Sequence, residues 1–255
     1  MIIRTKEEEK ALREGGAKLG SILERLEKMV CPGVRTDELD SAASELVRAE
    51  GGAPAFLGYM PDGAKRAYPS ALCVSVNDAI VHGIPTENPY TLKDGDIVSL
   101  DLGFGYRGFI TDAAVAAIAG EGSEETLLLI WAAKEALALA IKAARDGNTT
   151  GHIGEAVETI ADKYGLSVPR ELGGHGVGRR VHEEPFVPNF GKGGSGDKLV
   201  SGMVLAIEPM FILGSGSIIA DSDGYTLRSA DKTLSVQIEH TVIVTPKGGD
   251  IITRA

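Results

Sequence analysis

Leu12, Leu19, Ile22, Leu23 and Leu26 recur at helical spacing. Thr5 and Glu8 ahead of them form a capping-box pattern, so a helix is expected from there to about Met29, stopped by Pro32-Gly33. Thr36 with Asp37 and Glu38 opens a second helix, expected to end near Gly51-Gly52. The stretch from Pro54 to Ser70 has no periodicity, and Ala71–Val76 reads as a strand. The segment Asp96–Ala114 has two apolar runs around a glycine-rich centre, which predicts a β-hairpin. Centring its turn on Tyr106-Arg107 sets Asp101 directly opposite Asp112, and a longer symmetric loop would keep that pairing.

The pattern restarts at Ser123. A long helix to about Arg145, a stop at Asp146-Gly147 and a helix from Thr149 or Thr150 to Tyr164-Gly165 are expected. Then follow an irregular glycine-rich stretch ELGGHGVGRRVHEEP, a strand GMVLAIEPMFI, a turn-rich region Gly214–Lys232 and a strand SVQIEHTVIVT. Two helices followed by strands carrying acidic residues occur twice. The chain is therefore read as an α+β repeat on one continuous sheet, with halves of roughly 1–121 and 122–255 forming a single domain.

The hairpin raises a chemical question. Directly opposed carboxylates on one sheet face lie roughly 5 Å apart and repel. Inside an apolar setting, a cation between them resolves the conflict. Glu208 sits in the apolar run Val204–Ile207 before Pro209, where an unpaired carboxylate costs several kcal/mol. Glu239 shares a strand face with Gln237 and Thr241 by two-residue alternation. His175 lies among glycines that let the backbone bend around it. His182 precedes Glu183-Glu184-Pro185, and His82 precedes Gly83-Ile84-Pro85.

Taken singly, each has a plainer explanation. A strand carboxylate more often faces solvent or a buried arginine, and a histidine beside glycines is more often a loop residue. Glu7, Glu8, Glu9, Glu183 and Glu184 read as solvated faces, His152 as a helix-start residue, and His240 as packed core. Tyr59, Tyr68 and Tyr225 are equally consistent with packing. The set shifts the balance: two Asp, two Glu and one His on strand-like or glycine-bounded positions. Four carboxylates and one imidazole suit two harder divalent ions such as Mn, Fe or Co better than a thiolate zinc site. Two ions sharing a water make a hydrolytic centre. No HExxH helix and no G-x-S-x-G elbow is present.

Composition adds limits. The 255 residues carry a formal net charge of −10 with no Lys/Arg cluster, which disfavours direct nucleic-acid contact. The two cysteines, Cys31 and Cys73, have neither metal nor redox spacing, which fits a reducing compartment. An acidic run follows the first residues where a signal peptide needs an apolar one. Thr126–Ala144, the most apolar segment, is broken by Lys134, Glu135 and Lys142, so no spanning helix is expected. A cytoplasmic monomer is the default.

The series VHGIP, SLDLG with Asp112 following, GHGVGRRVHEEP, GMVLAIEPM and QIEHTVIVT resembles the type I methionine aminopeptidases. The resemblance covers nearly the whole chain, including TKEEEKALREGGAKLG and CPGVRT. It implies the pita-bread fold: two pseudo-symmetric halves with a curved, mostly antiparallel sheet covered by helices. It implies two divalent ions (Mn, Fe, Co or Zn) on Asp101, Asp112, His175, Glu208 and Glu239, with Asp112 and Glu239 bridging. Glu208 would handle the proton of the attacking water, and His82 and His182 would bind the peptide group and the tetrahedral intermediate. Tyr59, Tyr68, Cys73 and Tyr225 would line the methionine pocket. The implied substrates are N-termini of nascent polypeptides with a small second residue, and a ribosome-associated role is compatible.

Met60–Ala67 is longer than the usual loop between the pocket tyrosines, Val181 stands where Phe is common, Phe56 where a smaller residue is common, and Tyr225 replaces a frequent Trp. A prolidase or Xaa-Pro aminopeptidase is the main competitor, and 255 residues leave no room for its usual extra N-terminal domain. A metal-free binding module of this fold is the second. The absence of a long insertion before the last strands disfavours the type II form.

Overall fold

The computed structural model describes residues 1–61 and 63–254; Asp62, inside the Met60–Ala67 stretch, and Ala255 lie outside the described residues. The helices are α1 (Lys6–Glu27), α2 (Thr36–Ala49), α3 (Glu124–Ala143) and α4 (Thr150–Tyr164). The first half carries β1 (Ala53–Pro54), β2 (Cys73–Val76), β3 (Ala79–Val81), β4 (Ile97–Tyr106) and β5 (Phe109–Ile118). The second carries β6 (Gly173–Gly176), β7 (Glu183–Pro188), β8 (Val204–Ile207), β9 (Met210–Ile212), β10 (Ile218–Ala220), β11 (Leu227–Ser229), β12 (Ser235–Gln237), β13 (Glu239–Thr245) and β14 (Gly248–Ile251).

The helix ends follow their local chemistry. Thr5 Oγ1 accepts from the Glu8 amide at 3.1 Å while Glu8 reaches back to the Thr5 amide, completing the capping box. Ser123 caps α3 through the Thr126 amide, and Gly165 ends α4 in the left-handed conformation. His152 sits in the first turn of α4 and accepts from the Thr149 amide at 3.1 Å, a helix-start role.

The main sheet runs β1-β4-β5-β13-β8-β6-β7, with β2 beside β4 and β14 beside β13, and all its pairings are antiparallel. It curls into a half-barrel and joins both halves of the chain. Leu19, Leu23 and Leu26 of α1 and Leu39 of α2 pack on Val98, Leu100 and Leu102. Leu129, Ala133 and Ala136 of α3 and Val157 and Ile160 of α4 pack with Leu205, Ile207 and Val242. Each fully buried aliphatic side chain contributes roughly 1.5–3 kcal/mol. The helices thus cover one sheet face and leave the other for chemistry.

The hairpin register differs from the expected one. The β4–β5 turn is Arg107-Gly108, with φ of 48° and 81°, the left-handed pair that a two-residue turn matched to strand twist requires. Asp101 therefore pairs with Ala114, and Asp112 with Gly103. The change is two positions, an even number, so both carboxylates keep the same face and stand diagonally instead of directly opposed.

Three expectations on the second half are corrected. The stretch ELGGHGVGRRVHEEP is not wholly irregular, because β6 and β7 lie within it and extend the main sheet. A Cβ on Gly174 would stand 2.2 Å from the Ala206 carbonyl oxygen, and one on Gly176 would stand 2.2 Å from that of Glu184. These glycines permit close strand approach, which the sequence reading took for a loop signal. GMVLAIEPMFI is two strands: after Glu208-Pro209 the chain leaves the main sheet and β9 pairs with β12. SVQIEHTVIVT breaks at the same level, at Ile238, so Glu239 begins β13 instead of lying mid-strand. The turn-rich region also contains β10 and β11, which join β3 in a small sheet.

Candidate active site

Asp101, Asp112, Glu239, Glu208 and His175 come from β4, β5, β13, the end of β8, and β6, five successive strands of the main sheet. All five are buried. One ligand atom each from Asp112, His175 and Glu239 lies within 4.8 Å of the others. His175 Nε2 is 3.5 Å from Glu208 Oε1. The β13–β8 register, with His240 opposite Ile207, sets Glu208 opposite Glu239 where both strands break.

Buried arginines or lysines do not neutralise the cluster: among the described residues its one ion-pair contact is that between His175 and Glu208. Asp101 Oδ1, Asp112 Oδ1, Glu239 Oε1 and Gln237 Oε1 are buried without a hydrogen-bond partner. Unsatisfied buried acceptors are costly, and four at one point mark a place for something positive. Burial raises Asp101 to about 7, and burial with mutual repulsion holds Asp112, Glu208 and Glu239 well above the usual carboxylate range. Burial also lowers His175 to about 3, so its imidazole is neutral. His175 Nδ1 donates to the Gly176 carbonyl at 2.9 Å, leaving Nε2 as the lone-pair nitrogen facing the cluster. Neutral imidazole, deprotonatable carboxylates and orphaned oxygens fit a divalent cation.

Neighbouring polar groups orient the cluster. Gln237 Nε2 donates to Glu208 Oε2 at 3.0 Å and reaches Asp101 Oδ2 at 3.4 Å. Thr241 Oγ1 accepts from the Asp112 amide at 2.9 Å and donates to its carbonyl at 2.6 Å. Sequence reasoning gave these two residues no role. Their signal was present, since two-residue alternation already put both on the face of Glu239.

Beside the cluster is a cavity of about 80 Å³. Tyr59, Tyr68, Cys73, His82, His182 and Tyr225 line it, so the structure brings all the expected pocket residues to one place; Phe56 and Pro61 join them. A second, open cleft of about 460 Å³ shares His82, His175, His182 and Glu208 with the first and leads outward past Glu171 and Phe186. The histidines stand at the junction. His82 adopts φ 60°, an unusual conformation for a non-glycine residue, and burial lowers it to about 4. His182 is exposed at the mouth, its Nδ1 2.8 Å from the Tyr59 hydroxyl and its ring edge-on to His175 at 4.4 Å.

Two plainer expectations change. Glu183 is not part of a solvated face: it accepts from the Arg179 and Arg180 amides at 2.6 and 2.8 Å and lies 2.9 Å from the Met1 ammonium, which folds the turn carrying His182. His240 is half-buried behind the sheet, with Nδ1 2.9 Å from Thr253 Oγ1.

This combination, a half-barrel sheet with a carboxylate–histidine cluster on its uncovered face, defines a metallopeptidase architecture. The model of metallopeptidase family M24 matches residues 10–246. The methionine aminopeptidase of Aquifex aeolicus is 43% identical over 244 residues, spanning 95% of this chain and 94% of that protein. The crystal structure of methionine aminopeptidase from Thermotoga maritima superposes with a TM-score of 0.94 at 36% identity, covering 100% of both chains. A prolidase from Pyrococcus furiosus shares the fold at a TM-score of 0.76 and 23% identity, and this chain spans 66% of it. The chain belongs to metallopeptidase family M24 and, within it, to the methionine aminopeptidases. It is a metal-dependent aminopeptidase with the pita-bread fold. Among the described residues, no helix is long and apolar enough to cross a membrane.

Proposed function

We infer that this chain removes the N-terminal methionine of polypeptides as a single catalytic unit, with Asp101, Asp112, His175, Glu208 and Glu239 holding two divalent ions. One observation carries the reading: five potential ligands from both halves meet, with orphaned oxygens, beside a small, largely apolar cavity. An oxygen-rich donor set with one imidazole favours Mn, Fe or Co, with Zn also accommodated. Bound divalent ions would polarise the scissile carbonyl and lower the pKa of water.

The remaining work falls to side chains. Phe56, Tyr59, Tyr68, Cys73 and Tyr225 would enclose the methionine side chain, which places the first peptide bond at the junction of the two cavities. The chain beyond it would leave through the open cleft. His82 and His182 would flank that bond, and Tyr59 fixes the ring of His182. Both would donate hydrogen bonds where negative charge develops. Glu208 would take a proton from the attacking water and pass it to the leaving amine, and the bond from Gln237 orients it for that role. The substrates are read as newly made chains in the cytoplasm, a setting consistent with two unpaired cysteines.

The test is turnover of a Met-Ala-Ser peptide by metal-stripped protein with Mn, Fe, Co and Zn restored in turn, against an Xaa-Pro peptide. Metal-dependent release of methionine with little Xaa-Pro cleavage is expected. Efficient Xaa-Pro cleavage would move the chain to the prolidase activity, and absence of divalent-ion binding would leave the metal-free binding module.

A further inference from the structure

The methionine pocket has two kinds of wall. One is the main sheet. The other, formed by Tyr68 and Tyr225, stands outside it, and Arg66 is at the centre of what holds it.

Arg66 Nη1 and Nη2 donate to Glu87 Oε1 and Oε2 at 2.5 and 2.7 Å, a forked pair. Nη2 also donates to the Asp223 carbonyl at 2.7 Å. The backbone carbonyl of Arg66 accepts from the Tyr225 hydroxyl, and its guanidinium carbon lies 5.9 Å from the Tyr225 ring centre. Tyr225 meets Tyr68 edge-on at 5.2 Å and 80°. Tyr68 in turn donates to the Gly83 carbonyl, next to His82, at 2.8 Å. Backbone bonds of 2.8 and 2.9 Å tie Tyr68 to Tyr59 and Gly58.

One side chain therefore joins three segments that are far apart in sequence, and each carries a pocket residue. Tyr59 and Tyr68 flank Arg66, His82 lies near Glu87, and Tyr225 follows Asp223. The Asp223 side chain accepts from the Tyr225 and Thr226 amides, both at 2.8 Å, so the anchor is itself ordered. A single exposed ion pair contributes little. Arg66 differs by its bidentate geometry, its third acceptor and its aromatic neighbour.

We propose that Arg66 is a positioning residue that sets the methionine pocket by holding Tyr225 against Tyr68. It lies outside the carboxylate–histidine cluster and lines neither cavity. It acts on how tightly, and how selectively, the first side chain is held. The proposal rests on the methionine aminopeptidase reading.

The test compares wild type, Arg66→Ala and Arg66→Lys, loaded with the same metal, on Met-Ala-Ser and Leu-Ala-Ser peptides. Arg66→Ala should raise KM for the methionine peptide about tenfold with kcat nearly unchanged, and should narrow the Met/Leu preference. Arg66→Lys should recover part of the KM, because an ammonium cannot make the fork. The thermal midpoint should stay close to wild type. An unchanged KM and preference in Arg66→Ala would overturn the proposal. So would a loss carried by kcat together with a lowered midpoint, which is what general loosening produces. Wild type that turns over the methionine peptide keeps the functional reading in either case, whereas inactive wild type removes both.

Discussion

The metal end and the pocket end of the site are built differently. Asp101, Asp112, His175 and Glu239 project from strands of one sheet, and Glu208 directly follows another; each of these strands has a paired neighbour on both sides. The pocket wall of Tyr59, Tyr68 and Tyr225 rests on irregular segments joined by side-chain bonds. The difference separates two requirements. Chemistry needs groups fixed to fractions of an ångström, which a sheet supplies. A pocket wall on loops can change without disturbing the sheet that carries the carboxylates.

Predictions that break the comparison fall at the metal end. Asp112→Asn should lower kcat/KM by about a thousandfold or more, with the circular dichroism spectrum retained, because it removes the charge of a proposed ligand and leaves the backbone bonds to Thr241 intact. Near-normal activity would mean that Asp112 is not a ligand. His182→Ala should lower kcat by about a hundredfold with metal content unchanged. An unaltered rate would return His182 to an ordinary loop position.

Metal removal and pH give a linked expectation. Burial raises Asp101 to about 7, so the folded protein holds protons there that the unfolded chain has released. The stability this provides to the metal-free protein is present at low pH and is lost as pH rises through about 4 to 7. Divalent cations need the deprotonated form, so their stabilising effect should grow over the same window. At a hundredfold excess over Kd it reaches about 2.7 kcal/mol. Thermal scans with and without Mn from pH 5.5 to 8 measure it; an effect that shrinks with rising pH would contradict the carboxylate assignment.

Two smaller effects sharpen the contrast. Gln237→Ala should weaken metal binding roughly ten- to a hundredfold, read by titration calorimetry, because Glu208 and Asp101 lose a shared donor. Gly103→Ala tests where the two ends meet. A Cβ there would stand 2.6 Å from Phe56 Cε1, so the ring must move. The expected cost is about 1–3 kcal/mol of stability in chemical denaturation, with a raised KM for methionine peptides. An unchanged KM would show that Phe56 does not shape the pocket.

Most of the helices were legible because their information is local. Thr5, Ser123 and Gly165 act within one turn of chain, as caps read from sequence do. Strand boundaries were less legible. GGHG signals a loop when read alone, and becomes a strand only because neighbouring backbones approach to where a side chain would stand. Glu183 likewise lies beside Glu184 in sequence, but only the folded chain brings it to Met1 and to the Arg179 and Arg180 amides.

The sequence alone picked out the side chains proposed to carry chemistry and, for Asp101, Asp112 and Glu239, the residues sharing their strand face, because alternation is a property of the strand itself. The tertiary structure decided how they meet: the paired breaks at Pro209 and Ile238, the bond from Gln237 to Glu208, and the three-way hold of Arg66. Those depend on contacts between residues far apart in the chain. No local pattern encodes such contacts, because their energy exists only once the segments are packed together.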